Sequence, residues 1–118
     1  MKKVLIVDDN EAVIATLRTV LVRSDYEVVE AQDGQSCLAV AGCEQPDVIL
    51  LDWLLPDFEG PDLMGKLREV STAPCIMITA QDTVHHCVAA LEAGCDDFIA
   101  KPIRPDELLL RLHRLIGK

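Results

Sequence analysis

Aromatic residues are nearly absent from this chain: two Phe, one Trp and one Tyr in 118 positions. Any core must therefore be aliphatic, assembled from Val, Leu, Ile and Ala. Basic residues are also few, 11 Lys and Arg against 20 Asp and Glu, for a formal charge of −9. That balance argues against non-specific binding of nucleic acid or of an anionic membrane by this domain. Five cysteines, Cys37, Cys43, Cys75, Cys87 and Cys95, contain no CxxC pair and leave one over. A disulfide framework is thus excluded, and a reducing, cytoplasmic compartment is expected. The first apolar run, Val4–Val7, ends at Asp8 and Asp9, too short for a signal peptide. No uninterrupted apolar stretch approaches the ~20 residues of a membrane span, so a soluble protein is expected.

What is present is a globular mixture, 50% hydrophobic and 26% charged. Its length fits one domain, 1–118, with a core that needs no staples. Two kinds of segment alternate. Short apolar runs at Val4–Val7, Val28–Val29, Val48–Leu51, Cys75–Ile78 and Phe98–Ala100 read as buried strands. Longer stretches between them carry helical spacing: Val13, Leu17, Val20 and Leu21; Leu63, Leu67 and Val70; Val84, Val88 and Leu91; Leu108, Leu112 and Leu115. A weaker helix after Gly34 uses Cys37, Leu38 and Ala41. Gly42, Gly94 and Gly117 fall where helices should end, and Pro61 and Pro105 where they should begin. The pattern is βα repeated five times. Continuous rather than alternating strands imply a parallel sheet covered on both faces.

Asp52 is out of place in this scheme. In "VILLDWLLP" (Val48–Pro56) it interrupts an apolar run, where an uncompensated carboxylate costs several kcal/mol. Ligands of open parallel sheets bind beyond the carboxyl ends of the strands. Those positions hold Asp8 and Asp9 after the first strand, Asp52 after the third, Thr79 after the fourth and Lys101-Pro102 after the fifth. Asp8-Asp9-Asn10 alone reads first as an acidic helix start, Lys101 alone as a surface lysine and Thr79 alone as a satisfied hydroxyl. Together they describe a rim of oxygen donors suited to a hard divalent cation such as Mg2+.

The motifs "VLIVDDN" (Val4–Asn10), "VILLDWLLPDFEG" (Val48–Gly60), "IMITA" (Ile76–Ala80) and "AGCDDFIAKP" (Ala93–Pro102) resemble those of receiver domains of two-component response regulators. The resemblance covers essentially the whole chain. It implies a flavodoxin-like α/β fold with strand order 2-1-3-4-5, and cytoplasmic signal transduction rather than enzymatic turnover of an external substrate. Position by position, it implies that Asp52 is the phosphoacceptor, charged by a sensor histidine kinase or a histidine phosphotransfer protein. Asp9, Asp52 and the Leu54 carbonyl would ligate Mg2+, with Asp8 acting through water. Lys101, Thr79 and the Ala80 N–H would bind phosphoryl oxygens, and Lys101–Pro102 would be cis. Thr79 and Phe98 would switch the face formed by the fourth helix, fifth strand and fifth helix. That face would control an output domain or partner, and would support a phosphorylation-dependent dimer.

The chain departs from the family pattern in places. The switch aromatic is Phe98, with no hydroxyl, so its alternative is an ordinary core residue. Asp97 and Arg111 match partners of a dimer pattern, yet Ala89 stands near the expected basic residue of the fourth helix. Leu54 and Gln81 occupy the two positions that tune phosphoryl loss, and apolar Leu54 is expected to lengthen the life of the phosphoform. His85-His86-Cys87 cannot chelate one ion, because helical neighbours point to different sides, and is read as helix surface. Cys75 reads as a small core hydrophobe.

Rival functions fare worse. A haloacid-dehalogenase-type phosphatase needs a second Asp where Leu54 stands. A silent pseudo-receiver conflicts with the complete set Asp8, Asp9, Asp52, Thr79 and Lys101. A flavodoxin-like cofactor binder would need a Ser/Thr/Gly-rich loop where Asp8-Asp9 stand. A free-standing adaptor, a phosphorelay intermediate and a receiver of a longer protein all remain compatible with the sequence.

Overall fold

A computed structural model describes residues 1–80 and 84–117, with the side chains of 84–86 outside the description. Ten elements alternate: β1 (Lys3–Val7), α1 (Glu11–Arg23), β2 (Glu27–Ala31), α2 (Gly34–Glu44), β3 (Val48–Asp52), α3 (Gly60–Leu67), β4 (Cys75–Thr79), α4 (Val84–Glu92), β5 (Asp97–Ala100) and α5 (Pro105–Ile116). The five strands form one parallel sheet in the order β2-β1-β3-β4-β5, as expected. Every residue of the central strands β3 and β4 is buried, which is why their sequences run apolar without alternation.

Two aliphatic cores result, one on each face of the sheet. Val4, Ile6, Val48, Leu50, Ile76, Ile78 and Ile99 point towards α1 and α5, meeting Ile14, Leu17, Leu21, Leu108 and Leu112. Leu5, Val7, Ile49, Leu51, Cys75 and Met77 point the other way, onto Cys37, Leu63, Met64, Leu67 and Ala90. This two-residue alternation also decides where side chains point at the strand ends.

Several local expectations are corrected. Ile14 takes the buried place on α1, leaving Val13 and Val20 half-buried. Helix α3 stops at Leu67, so Val70 lies beyond it and is exposed. Among the described side chains of α4 it is Ala90 that is buried, while Val88 and Leu91 face solvent. Gly42 lies inside α2, which runs to Glu44 and is capped by Gln45 in the left-handed conformation (φ 48°). Gly94 and Gly117 do adopt positive φ after α4 and α5, and Pro61 and Pro105 sit in first turns. The backbone of His85 and His86 belongs to α4, but their side chains lie outside the described residues, as does Gln81.

Candidate functional site

The strand order reverses between β1 and β3, and the ligand crevice of such a sheet opens there, at the carboxyl ends. The alternation that buries Val4 and Ile6 brings Asp8 to the α1–α5 face; Val48 and Leu50 do the same for Asp52, and Ile99 for Lys101. Three residues far apart in sequence thus converge. Lys101 Nζ lies 3.3 Å from Asp8 Oδ2 and 3.4 Å from Asp52 Oδ1. Asp8, Asp9 and Asp52 each offer a carboxylate oxygen, all within 4.8 Å of one another.

The acidic triplet after β1 divides its labour. Asn10, not an aspartate, caps α1, its side chain accepting from the N–H groups of Ala12 at 2.9 Å and Val13 at 3.4 Å. Asp8 Oδ1 accepts the Asn10 N–H at 2.9 Å, leaving its other oxygen to Lys101. Asp9 is exposed and points into the crevice, where it lines the cavity beside Asp52.

Asp52 is the last residue of β3 and only 7% exposed. Burial pushes its carboxyl up to about 6, reinforced by the negative charge of Asp8 and opposed by Lys101. Burial works against the Lys101 ammonium as well, but Asp52 and Asp8 outweigh it, so Lys101 stays charged with a raised pKa. The donor set is oxygen only, partly desolvated and rich in negative charge. It fits a small hard dication.

The cavity around Asp52, about 710 Å³, is lined by Asp9, Asp52, Trp53, Leu54, Leu55, Pro56, Glu59, Thr79, Ala80 and Lys101. Thr79, 1% exposed, ends β4, and its carbonyl accepts the Lys101 N–H at 2.7 Å. The Lys101–Pro102 peptide is cis. Phe98 is half-buried against the α2–α4 core and pairs in register with Met77, two residues before Thr79 and on the same face of the sheet. Asp97 and Arg111 face each other within the chain at 2.6 Å, and Arg111 also reaches Glu107 at 3.4 Å. Cys75 is fully buried.

Residues 4–113 match the model of the response regulator receiver domain. The chain belongs to that family. This receiver domain thus takes part in two-component signal transduction. It is 39% identical over 118 residues to the alkaline phosphatase synthesis transcriptional regulatory protein PhoP of Bacillus subtilis, covering 99% of this chain and 49% of PhoP. To the transcriptional regulatory protein KdpE of Mycobacterium tuberculosis it is 40% identical over 118 residues, covering 100% and 52%. The receiver therefore spans about half the length of the curated relatives it matches.

Solved receivers share its fold. A CheY-like receiver domain protein from Methanospirillum hungatei superposes with a TM-score of 0.93 at 32% identity, over 99% of this chain and 94% of that one. A response regulator from Burkholderia pseudomallei, carrying a phosphorylated aspartic acid, a calcium ion and citrate, superposes with a TM-score of 0.85 at 30% identity, over 92% and 65%.

Sequence reasoning did not single out Trp53, Leu55, Pro56 and Glu59 as walls of the cavity, nor Asp57, which bonds to α2. The apolar stretch after Asp52 was the visible signal. The partners of Asp57 lie more than twenty residues away, where no local pattern could reveal them.

Proposed function

We propose that residues 1–118 act as one receiver domain in which Asp52 accepts a phosphoryl group from the phosphohistidine of a sensor histidine kinase or a histidine phosphotransfer protein. The observation that carries this reading is the meeting of Asp8, Asp9 and Lys101 around the buried Asp52 carboxylate. An oxygen of Asp52 attacks phosphorus, a P–O bond forms, the P–N bond breaks, and the imidazole leaves with the electron pair. Above its pKa of about 6 the Asp52 carboxylate is ionised and nucleophilic at neutral pH.

Asp9, Asp52 and the Leu54 carbonyl would hold Mg2+, with Asp8 linked through water. When bound, the cation supplies neutralisation of the charge gathered on the phosphoryl oxygens. The Lys101 ammonium, already beside Asp8 and Asp52, would add to that neutralisation. The Thr79 hydroxyl and the Ala80 N–H receive remaining oxygens, both lying on the cavity wall. The phosphorylated aspartate and calcium ion of the Burkholderia structure support this assignment. The domain's chemistry is self-directed, limited to its own phosphorylation and dephosphorylation.

Phosphorylation adds about 1.5–2 negative charges at the rim. Thr79 and Phe98 share one sheet face, so movement of Thr79 towards the new oxygens opens space beside Phe98 and repacks α4, β5 and α5. That face then controls an output domain or a downstream partner. In a phosphorylation-dependent dimer through it, the Asp97–Arg111 pair would exchange its intramolecular partner for one on a second copy. A net charge of −9 opposes direct contact with nucleic acid by this domain. We read it as a cytoplasmic domain; among the described residues no helix is long and apolar enough to cross a membrane.

The test is incubation with Mg2+ and acetyl phosphate followed by intact mass. Wild type gains one phosphate and Asp52→Ala gains none; an adduct on both proteins overturns the assignment.

A further inference from the structure

The loop from Trp53 to Glu59 supplies five of the ten residues that line the Asp52 cavity: Trp53, Leu54, Leu55, Pro56 and Glu59. Its first residue is tied to the sheet, the Trp53 N–H donating to Ile78 O at 2.7 Å, and its ends are tied to each other, the Gly60 N–H donating to Trp53 O at 2.6 Å. It is tied across itself by the Leu55 N–H, which donates to Phe58 O at 3.0 Å, and by an antiparallel bridge between Leu54 and Glu59. A third tie leaves the loop altogether. The Asp57 carboxylate accepts the Gly34 N–H at 2.7 Å through Oδ1 and the Gln35 N–H at 3.0 Å through Oδ2.

Those two donors belong to the first turn of α2, where N–H groups have no partner inside the helix and a carboxylate also favours the helix dipole. Phe58 follows Asp57 onto the helix. A Cβ at Gly34 would stand 2.1 Å from its ring, so only glycine permits this approach. Helix α2 already has its own cap, since Asp33 Oδ1 accepts the Ser36 N–H at 2.7 Å. What Asp57 adds is a two-pronged link between α2 and the wall of the site.

We propose that Asp57 is a positioning residue for the phosphoacceptor site. By clamping the β3–α3 loop to the start of α2, it holds the cavity wall, with the Leu54 backbone in it, in the arrangement that receives the divalent cation and the phosphoryl group. The proposal rests on the reading of Asp52 given above. It makes α2, an element remote from the carboxylate cluster, a support of the site.

Wild type, Asp57→Ala, Asp57→Asn, Asp33→Ala and Asp52→Ala are compared in three measurements. Mg2+ binding is followed through emission of Trp53, the sole tryptophan. The rate of adduct formation is measured against acetyl phosphate concentration, and melting temperature is measured in EDTA. Partners that orient metal ligands cost about tenfold in affinity when removed, and that rise in the Mg2+ dissociation constant is expected for Asp57→Ala. Its adduct formation is slower, and Asp57→Asn, keeping one acceptor oxygen, falls between. Asp33→Ala loses the other cap of α2 and melts lower, but binds Mg2+ within about twofold of wild type.

If Asp57→Ala behaves as Asp33→Ala does, melting lower with unchanged Mg2+ affinity and adduct rate, Asp57 is a helix cap alone and the proposal fails. Failure of the Asp52 reading looks different: no adduct on wild type, or an adduct that persists in Asp52→Ala. In that case the Mg2+ titration still decides the role of Asp57.

Discussion

Lys101 Nζ stands 3.4 Å from Oδ1 of Asp52, yet this ion pair does not keep the carboxyl at its ordinary value. Burial and the charge of Asp8 prevail, and Asp52 titrates at about 6 instead of 3.8. The folded state therefore holds a proton that the unfolded chain has released. Stability is highest when Asp52 is protonated, falls as pH rises from about 4 to about 6, and stays lowered above that.

Asp52→Asn removes this penalty. A shift of two units corresponds to about 3 kcal/mol, and screening in a cavity open to water leaves roughly 1–2 kcal/mol. In divalent-free buffer at pH 7.5 the variant is expected to melt roughly 4–8 °C above wild type, with the two curves converging below about pH 4. Calorimetry across pH checks this, and a variant no more stable than wild type at pH 7.5 contradicts it.

Lys101→Ala exposes the competition between lysine and cation for the same negative charge. Without the ammonium, Asp8 and Asp52 face each other uncompensated, and the metal-free domain melts lower. Any ligand that binds only the folded state stabilises it in proportion to its affinity. Mg2+ should thus raise the melting temperature of Lys101→Ala by more than it raises that of wild type. An equal or smaller rise would show that Lys101 does not share the cation's charge. Adduct formation should fall by roughly 10- to 100-fold, because one source of neutralisation is gone.

The fold was legible because two local signals agree, the short apolar runs and the helical spacing between them. The strand order came from the resemblance, since periodicity cannot say which strands are neighbours. The rim was legible for the same reason: Asp8, Asp52 and Lys101 each follow an apolar strand, and strand ends meet on one edge of a parallel sheet. Burial of Asp52 was not legible. It depends on which residues the fold packs around the end of β3, and the β3–α3 loop beside it makes bonds to segments distant in sequence, such as the Gly34 N–H to Asp57. On α4 the large residues Val88 and Leu91 suggest a core face, whereas among the described side chains the burial falls on the small Ala90, which apolar spacing alone does not single out.

Leu54 projects an apolar side chain, 66% exposed, from the loop that walls the cavity. An amide there can orient an attacking water and a leucine cannot. Leu54→Asn should therefore shorten the life of the phosphoform by roughly three- to tenfold, a positioning effect of ordinary size. The loss of the adduct mass with time measures it directly. A variant that dephosphorylates no faster assigns the lifetime to other residues.

The five cysteines form no disulfide, and their surroundings divide them into two classes. Cys37, Cys75 and Cys95 sit in the core between the sheet and α2–α4. Burial pushes the Cys37 thiol up to about 12 and the Cys95 thiol to about 11, and holds Cys75 well above its ordinary value. Thiolate is the reactive form, so these three are inert while the core is closed. Cys43 is exposed at the end of α2, and Cys87 is half-exposed on α4. A disulfide reagent at pH 8 should modify Cys43 and Cys87 quickly and the other three only through unfolding. The gap in rate should be at least roughly 10³-fold, since opening the core requires most of the stability of a domain. The variant Cys43→Ser, Cys87→Ser should then show no fast phase at all. A third fast thiol would mean that the α2–α4 side of the sheet opens independently of the α1–α5 side.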